Sequence, residues 1–189
     1  MNSPIHVLGI PGTLRKDGYN KRLLQIASGV LPPAMTLEIY DLAPLPFYNA
    51  DVEAQGLPES VQHFHARLAA ADAYLITTPE YNYSITGALK NALDWASRRT
   101  VDGAPAPINN KPLAMMGGGG RSGTLRAQMH LRDMVTHNNM HALNSPQIAI
   151  PAVWTKFDKE GNLLDESIRE QIRELVAALA AWTRRLRED

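Results

Sequence analysis

Three short stretches of this 189-residue chain contain side chains and glycines that could bind a ligand. The first, residues 11–20, lies between an apolar run and a helical pattern. It offers two hydroxyls, two cations and one amide: Thr13, Tyr19, Arg15, Lys16 and Asn20. A helix that begins after such a loop has free backbone N–H groups and a positive dipole end, which favour an anion. These residues suit a phosphate, and an ordinary turn with a solvated Arg15–Lys16 pair explains them equally well.

The second and third stretches also follow apolar runs. Residues 79–84 read Pro-Glu-Tyr-Asn-Tyr-Ser and come after a run at 73–77 that lacks alternation, as is typical of a parallel strand buried on both faces. Residues 117–123 begin with four adjacent glycines. Because glycines are costly in backbone entropy, this run indicates either flexibility or a backbone to which a flat ligand comes close.

Residue types and motifs that are missing limit the chemistry. The chain has no cysteine, which excludes disulfides, thiolate nucleophiles and iron–sulfur clusters bound by cysteine. The Walker pattern and the G-x-G-x-x-G dinucleotide fingerprint are both absent. His63 and His65 lie two residues apart on a predicted helix and point to different faces, so we expect solvated histidines and no metal site. Any redox chemistry must therefore come from a bound cofactor.

Composition predicts one enzyme-sized domain over residues 1–189. The chain is 44% hydrophobic, and its 19 Lys and Arg balance 19 Asp and Glu to a formal charge of +0, so nucleic acid and anionic membranes are not expected partners. No apolar stretch reaches the roughly 20 residues of a membrane span, and the first residues lack the charged and apolar regions of a signal peptide. We expect a cytoplasmic location.

Apolar runs and helical patterns alternate along the whole chain. Strands are predicted at residues 5–10, 35–42, 73–77, 111–116 and 140–143, the last with an extension at 147–153. Five strands and five helices in alternation predict an α/β, doubly wound parallel sheet in the order 2-1-3-4-5, with helices on both faces. This order brings the three stretches to the carboxyl edge of the sheet, where ligands bind in such folds.

Several features between the strands stay open on the sequence alone. Residues 43–58 contain three prolines and are predicted to be a long exposed connection, in which Tyr48 and Asn49 border a site or a subunit or simply cover the surface. Trp95 could belong to the core or to an interface. The helix after the fourth strand is expected to pack through Leu125, Met129 and Leu131.

The sequence also resembles a known family. Five segments carry the resemblance in order along nearly the whole chain: GTLRKDGYNKRLL, LPFYNADVEAQGLPESV, TPEYNYSITGALKNALDWASR, GGGGRSGTLRAQ and KFDKEGNLLDE. They are similar to the NAD(P)H-dependent FMN reductase family of quinone, azo-dye and chromate reductases. The resemblance implies a flavodoxin-like fold, FMN as the cofactor and NADPH or NADH as the co-substrate.

The family's motifs imply which residues bind the cofactor. Its phosphate-binding pattern G-S-x-R-x-x-S-x-N corresponds to Thr13, Arg15 and Asn20, and Gly18 replaces the usual second serine, which removes one hydroxyl from the phosphate. The central segment, at residues 79–84, and the glycine-rich segment, at residues 117–123, line the flavin. The backbone at Gly118 and Gly119 is expected to come closest to it. The implied cofactor-binding residues are Thr13, Arg15, Gly18, Tyr19, Asn20, Pro79, Glu80, Tyr81, Asn82, Ser84, Gly117, Gly118 and Gly119.

The resemblance implies that hydride passes from NADPH through FMN to a small acceptor such as a quinone, an azo compound or chromate. No catalytic side chain is expected, because FMN carries the chemistry, and backbone amides of residues 80–83 would stabilise the charge of the reduced ring. Glu80 would then be a structural or subunit-contact carboxylate. Arg98 and Arg99 could meet the 2′-phosphate of NADPH or simply complement a helix dipole.

The resemblance also implies an assembly. Proteins of this family are usually homodimers or homotetramers, with the flavin near a subunit contact. The candidate contact regions of this chain are residues 47–58 and the helix at 84–98.

Two other functions remain compatible with the sequence. A flavodoxin-type electron carrier would bind FMN without turning over a substrate of its own, but such carriers are usually strongly acidic and this chain is neutral. A regulatory protein could use the same fold with an empty site, since fold alone does not determine function. The retained Arg15 and Asn20 argue against that alternative, whereas Gly18 keeps it open.

Overall fold

A computed structural model describes residues 3–188 as a parallel sheet covered by helices. The strands, β1 to β6, are Ile5–Pro11, Met35–Ile39, Ala73–Thr77, Pro112–Gly118, His141–Ala142 and Ile148–Ile150. The α-helices, α1 to α6, are Tyr19–Ser28, Ala50–Ala54, Glu59–Ala70, Gly87–Ala96, Leu125–Thr136 and Glu166–Glu188, and a short 3-10 helix spans Val153–Lys156. Three residues of the predicted domain, Met1, Asn2 and Asp189, lie outside the described residues.

The predicted sheet order is confirmed. The strands run β2-β1-β3-β4-β5, all parallel, and an additional strand, β6, also pairs with β4. The fifth strand and its predicted extension are therefore two short strands, because β5 pairs with Pro112 and Leu113 whereas β6 pairs with Met116 to Gly118. Pro146 stands between them and has no backbone N–H to donate to a ladder.

Helices cover both faces of the sheet, as predicted. One apolar core lies between the sheet and α3, α4 and α5, and the other lies between the sheet and α1 and α6. Successive residues of β1 divide between the two: Leu8 and Ile10 enter the first core, and Ile5 and Val7 the second. This division explains why the strand sequences show no apolar and polar alternation.

The connection between β2 and α3 is more ordered than the sequence predicted. It contains α2, in which the Asn49 side chain caps the helix by accepting the Asp51 amide. The Pro46 carbonyl accepts hydrogen bonds from Trp95 Nε1 at 2.8 Å and from Asn91 Nδ2 at 2.9 Å, and the Tyr48 ring meets the Trp95 ring edge-on. Trp95 is fully buried within the chain, so the core interpretation of this residue is correct.

Two expectations about side-chain exposure were wrong. On α5 the buried residues are Ala127, Gln128, Leu131 and Val135, while Leu125 and Met129 are about half exposed. Helix periodicity identified the element but not the rotation that packing selects. His65 is not solvated but buried on α3, where its Nε2 donates to the Trp95 carbonyl at 2.8 Å.

The burial of His65 makes stability depend on pH. Desolvation lowers the pKa of this imidazole below its ordinary value of 6.5, and the hydrogen bond to Trp95 and the nearby Glu53 offset only part of that effect. Below about pH 6.5 the unfolded chain binds a proton that the folded chain resists, so the contribution of His65 lowers the free energy of unfolding as the pH falls.

We expect His65→Gln to flatten this dependence. Urea unfolding of the wild type between pH 8 and pH 5 should show a falling free energy of unfolding, by at most about 1.4 kcal/mol per pH unit from this group. At pH 8 the free energy of unfolding of His65→Gln should be lower than that of the wild type, and it should decrease less as the pH falls. His63→Gln, at an exposed position of the same helix, is the control and should keep the wild-type slope. If the free energy of unfolding decreased equally with pH in His65→Gln and in the wild type, the attribution of this pH dependence to His65 would be wrong.

Candidate active site at the carboxyl edge of the sheet

The carboxyl ends of β1, β3 and β4 surround a cavity of about 200 Å³. It is lined by Thr13, Arg15, Gly18, Tyr19, Asn20, Pro79, Glu80, Tyr81, Gly118, Gly119, Gly120, Val153 and Trp154. Three remote stretches of sequence thus meet at the predicted edge, because parallel strands all end on the same side. A second cavity of about 700 Å³ adjoins the first, shares Glu80 and Gly120 with it and includes Asn82, Arg121 and Arg126.

Most of the residues expected at the site line this first cavity, but three do not. Asn82 lines the adjoining cavity, Ser84 hydrogen-bonds to His130 at 2.9 Å, and Gly117 is buried within β4. Sequence reasoning missed Val153 and Trp154. The predicted order could have revealed them, because the loop that follows the fifth strand must end at this edge as well.

The first loop presents a helix N-terminus to the cavity. Gly18 is the N-cap of α1, and because it is a glycine it has no side chain to cap the first amides of the helix. Within the loop Thr13 Oγ1 accepts the amide of Arg15 at 3.2 Å. The amides of the first helical turn and the exposed Arg15 are therefore suited to an anion, as the sequence predicted.

The central loop is a tight turn with two residues in left-handed conformation. Tyr81 and Ser84 exchange backbone hydrogen bonds at 3.0 Å in both directions, and Asn82 and Tyr83 between them have φ of 51° and 65°. Asn adopts this region readily, whereas a bulky Tyr does so with strain. Since the Tyr81 amide is already bound to Ser84, it is not free for a ligand. Of the residues 80–83, this removes one amide from the expected set.

Glu80 has a structural role, as expected. Its carboxylate is almost fully buried and accepts the amides of Arg126 at 2.9 Å and Ala127 at 3.1 Å, together with the Ser122 hydroxyl at 3.1 Å. A carboxylate at this point caps α5 and complements its dipole. The bond also connects the central loop to the loop after β4.

Thr86 connects the central loop to the first one. Its hydroxyl donates to the Gly12 carbonyl at 2.8 Å and accepts the Leu89 amide at 3.1 Å, so the residue is the N-cap of α4. The Gly12 amide in turn donates to the Thr77 carbonyl at 2.6 Å. The first loop is thereby held to the end of β3.

The glycine run is required mainly by the protein's own packing. A Cβ at Gly117 would lie 2.2 Å from the Thr78 carbonyl oxygen, one at Gly118 would lie 2.5 Å from Val153, and one at Gly119 would lie 2.3 Å from the Gly123 oxygen. A Cβ at Gly120 would have open space around it within the described structure. Neither flexibility nor a ligand is needed to explain the first three glycines, and Gly120 is the one beside open space.

Other candidate groups lie away from the cavity. Arg98 donates to the Asp94 carbonyl at the end of α4, and Arg99 donates to the Gly103 carbonyl. The contact of Arg98 agrees with the helix-end interpretation, whereas Arg99 bonds within the loop that follows α4. Residues 3–188 contain no cluster of three or more histidine and acidic residues placed to hold a metal ion. None of the helices in this range is both long enough and apolar enough to cross a membrane.

Comparison with known proteins identifies the family. The sequence profile described as NADPH-dependent FMN reductase matches residues 5–155. An NAD(P)H-dependent FMN reductase from Pseudomonas aeruginosa is 47% identical over 188 residues, which cover 99% of this chain and 100% of that protein. An NADPH:quinone oxidoreductase from Arabidopsis thaliana is 38% identical over 188 residues, covering 96% of this chain and 93% of that one.

A solved structure agrees with this result. FerB, a flavoenzyme NAD(P)H:(acceptor) oxidoreductase from Paracoccus denitrificans, matches with a TM-score of 0.84 at 30% identity and covers 96% of this chain and 98% of its own. The resemblance that five segments of the sequence carried is therefore confirmed by overall sequence similarity and by the fold. This chain belongs to the NADPH-dependent FMN reductase family.

Proposed function

We propose that this enzyme uses FMN to pass hydride from NADPH to a quinone. Family membership makes the chain an NAD(P)H-dependent oxidoreductase with FMN as its cofactor and a small molecule as its acceptor. The quinone is the proposal, supported by the function named for the Arabidopsis relative. The observation that carries the proposal is the cavity at which three loops meet. They are the first loop at residues 11–20, the central loop at residues 79–84 and the glycine loop at residues 117–123.

The residues around the cavity suit FMN. At one end an exposed arginine, Arg15, and the uncapped N-terminus of α1 offer a cation and free amides to a phosphate. At the other end Gly120 leaves space for a flat group. The cavity alone is smaller than a typical cofactor site, and together with the adjoining cavity it reaches the usual size. We therefore propose that the flavin ring extends toward Gly120.

The protein's part in the chemistry is binding and electrostatics. FMN supplies the centre that accepts hydride and returns two electrons to the acceptor. In the described structure the amides of Asn82 and Tyr83 have no backbone acceptor, and we propose that they stabilise negative charge at the ring edge. Glu80 is occupied by the start of α5, so it is not assigned a proton-transfer role.

NADPH is proposed over NADH on the basis of charge. The adjoining cavity contains Arg121 and Arg126, and a guanidinium group there suits the additional 2′-phosphate by which NADPH differs from NADH. Arg98 and Arg99 line neither cavity and bond to nearby carbonyls. We also propose a cytoplasmic location, because the enzyme needs a compartment that regenerates NADPH, and a single FMN-binding domain over residues 1–189.

An oligomer is part of the proposal. Phe47 belongs to the candidate contact at residues 47–58 and is 84% exposed, an unusual state for a large apolar side chain. A partner subunit that covers it would remove this surface from water. Trp95, in contrast, is buried within its own chain and contributes no contact surface.

An anaerobic titration of the FMN-loaded protein with NADPH tests the proposed reaction. We expect the visible flavin band to bleach, and to return when a quinone is added, with NADH acting more slowly. A band that stays oxidised with both nucleotides, in a protein that binds FMN, would favour the electron-carrier alternative. Protein that does not bind FMN would favour the empty-site alternative.

Gly18→Ser tests the phosphate end of the site. A serine here would restore a hydroxyl and an N-cap, and a hydrogen bond to a charged phosphate is worth about 1.5 kcal/mol or roughly tenfold in Kd. The added Cβ would lie 3.2 Å from Arg15 Cβ and 3.3 Å from Arg15 O, so it crowds the loop. Gly18→Ala carries that crowding alone and is the control. We expect tenfold tighter FMN binding by Gly18→Ser than by Gly18→Ala in a flavin fluorescence titration, and equal affinities would remove the assignment.

Sedimentation equilibrium tests the assembly. We expect the wild type to exceed the 20.8 kDa of one chain, and Phe47→Asp to dissociate because burying a carboxylate at a contact is costly. Val101→Asp, at another exposed apolar residue outside both candidate contacts, should leave the assembly intact. A wild type that stays monomeric at all concentrations would overturn the proposal.

A further inference from the structure

The side chain of Asn20 is bound to the backbone of Gly118. Asn20 Nδ2 donates to the Gly118 carbonyl at 2.9 Å, and Asn20 Oδ1 accepts the Gly118 amide at 3.0 Å. The two residues are 98 positions apart, and Asn20 is only 4% exposed. Both ends of this amide are thus committed to the last residue of β4, although the family resemblance assigned Asn20 to the phosphate.

We propose that Asn20 is a positioning residue that holds the glycine loop at a set distance from the phosphate end of the site. The inference rests on the proposed FMN function and goes beyond it, because it gives Asn20 a role toward the whole flavin rather than toward the phosphate. Asn20 acts on the cofactor through Gly118, not by direct contact.

The end of β3 shows why such a residue is needed. The ladder between β3 and β4 ends with Thr77 opposite Met116, and the Thr78 amide donates to the Met116 carbonyl as the last backbone bond of this pair. Gly118 extends beyond that point, where β3 no longer runs beside it. A buried N–H and C=O without partners there would each be costly. The Asn20 amide offers one donor and one acceptor in place of the missing strand.

Further contacts hold both partners in position. The Thr77 hydroxyl donates to the Asn20 carbonyl at 2.9 Å, which holds the start of α1 to the end of β3. On its other side β4 pairs with β6, so Gly118 lies opposite Ile150. Val153 packs where a Cβ of Gly118 would stand. Gly118 is therefore held from both sides, and the side toward α1 depends on Asn20.

The consequence for the cofactor is geometric. The first loop contacts the phosphate end, and Gly119 and Gly120, directly after Gly118, border the space proposed for the ring. Without the Asn20 bonds the phosphate end and the ring end of the site would no longer be held at a set distance. The loss would weaken the binding of the ring as much as the binding of the phosphate. If the Asn20 side chain instead bound the phosphate directly, its removal would weaken the binding only of flavins that carry a phosphate.

Comparing FMN with riboflavin distinguishes the two roles. We expect Asn20→Ala to weaken the binding of both flavins by the same factor, about tenfold or more. Arg15→Ala, the comparison variant, should weaken FMN by a similar factor and leave riboflavin within about twofold. If Asn20→Ala weakens FMN but not riboflavin, Asn20 is a phosphate ligand and the inference is wrong. If neither affinity changes, the inference is also wrong.

Asn20→Asp adds a reversible test in case the alanine variant folds poorly. The carboxylate that this substitution introduces cannot donate to the Gly118 carbonyl, whereas its protonated form has one donor and one acceptor, like asparagine. Relative to the wild type, flavin affinity of this variant should recover as the pH falls toward 5. Arg15, Tyr19 and Glu80 line the same cavity and are present in both proteins, so the comparison cancels their effects. Asn144→Asp, at an exposed position that accepts a bond from Arg132, should show no such recovery.

Amide hydrogen exchange provides a measurement without flavin. In the flavin-free protein we expect the Gly118 amide to be protected in the wild type and in Asn144→Asp, and to exchange at least tenfold faster in Asn20→Ala, which removes the acceptor of this amide. Unchanged protection would overturn the inference even if the wild type proved unable to bind FMN. Failure of the proposed function is thus separated from failure of the positioning role.

Discussion

Backbone N–H and C=O groups lack a regular partner where the parallel strands end and where the following helices begin, and the site of this enzyme depends on how those groups are satisfied. Asn20 satisfies Gly118 from the start of α1, Thr86 satisfies Gly12 from the start of α4, and Glu80 satisfies the first amides of α5. Each of these bonds joins two of the three loops. A buried polar group without a partner is costly, so the bonds that remove this cost also hold the loops in place around the cavity.

Close backbone packing then shapes the cavity. Gly117, Gly118 and Gly119 are each within reach of another part of the chain that a side chain would displace. Gly120 is different, because it borders open space. The run of four glycines therefore changes role along its length, from packing inside the sheet to leaving room at the site. Packing this close leaves no room for a side chain at the first three positions, so glycine is required there.

The polar side chains near the cavity are mostly committed to structure. Glu80 and Asn20, both expected at the flavin from the family resemblance, are bound to backbone groups. What the site can offer a ligand is the exposed Arg15, the N-terminus of α1 and amides of the central loop. This agrees with an enzyme whose cofactor carries the reaction and whose protein supplies binding and electrostatics. It also explains how such a site operates without cysteine.

The sequence by itself determined the family, the strand order and the edge of the sheet at which the three loops meet. Apolar runs without alternation identified the strands, and five segments in order along the chain, among them the long central one that contains Pro79 to Ser84, identified the family. These properties depend on local composition and on topology rules that hold across α/β proteins.

Only the tertiary structure decided which side chains face the cavity and which are bound elsewhere. Asn20 pairs with a residue 98 positions away, and His65 and Trp95 are buried by contacts between α3, α4 and the connection that contains α2. Val153 and Trp154 reach the site because β6 pairs with β4. The periodicity of a helix shows that it has a buried face, but the rotation of that face, as at Leu125 and Met129, depends on the shape of what packs against it. Such contacts join residues that are distant in the chain, and local sequence carries no record of them.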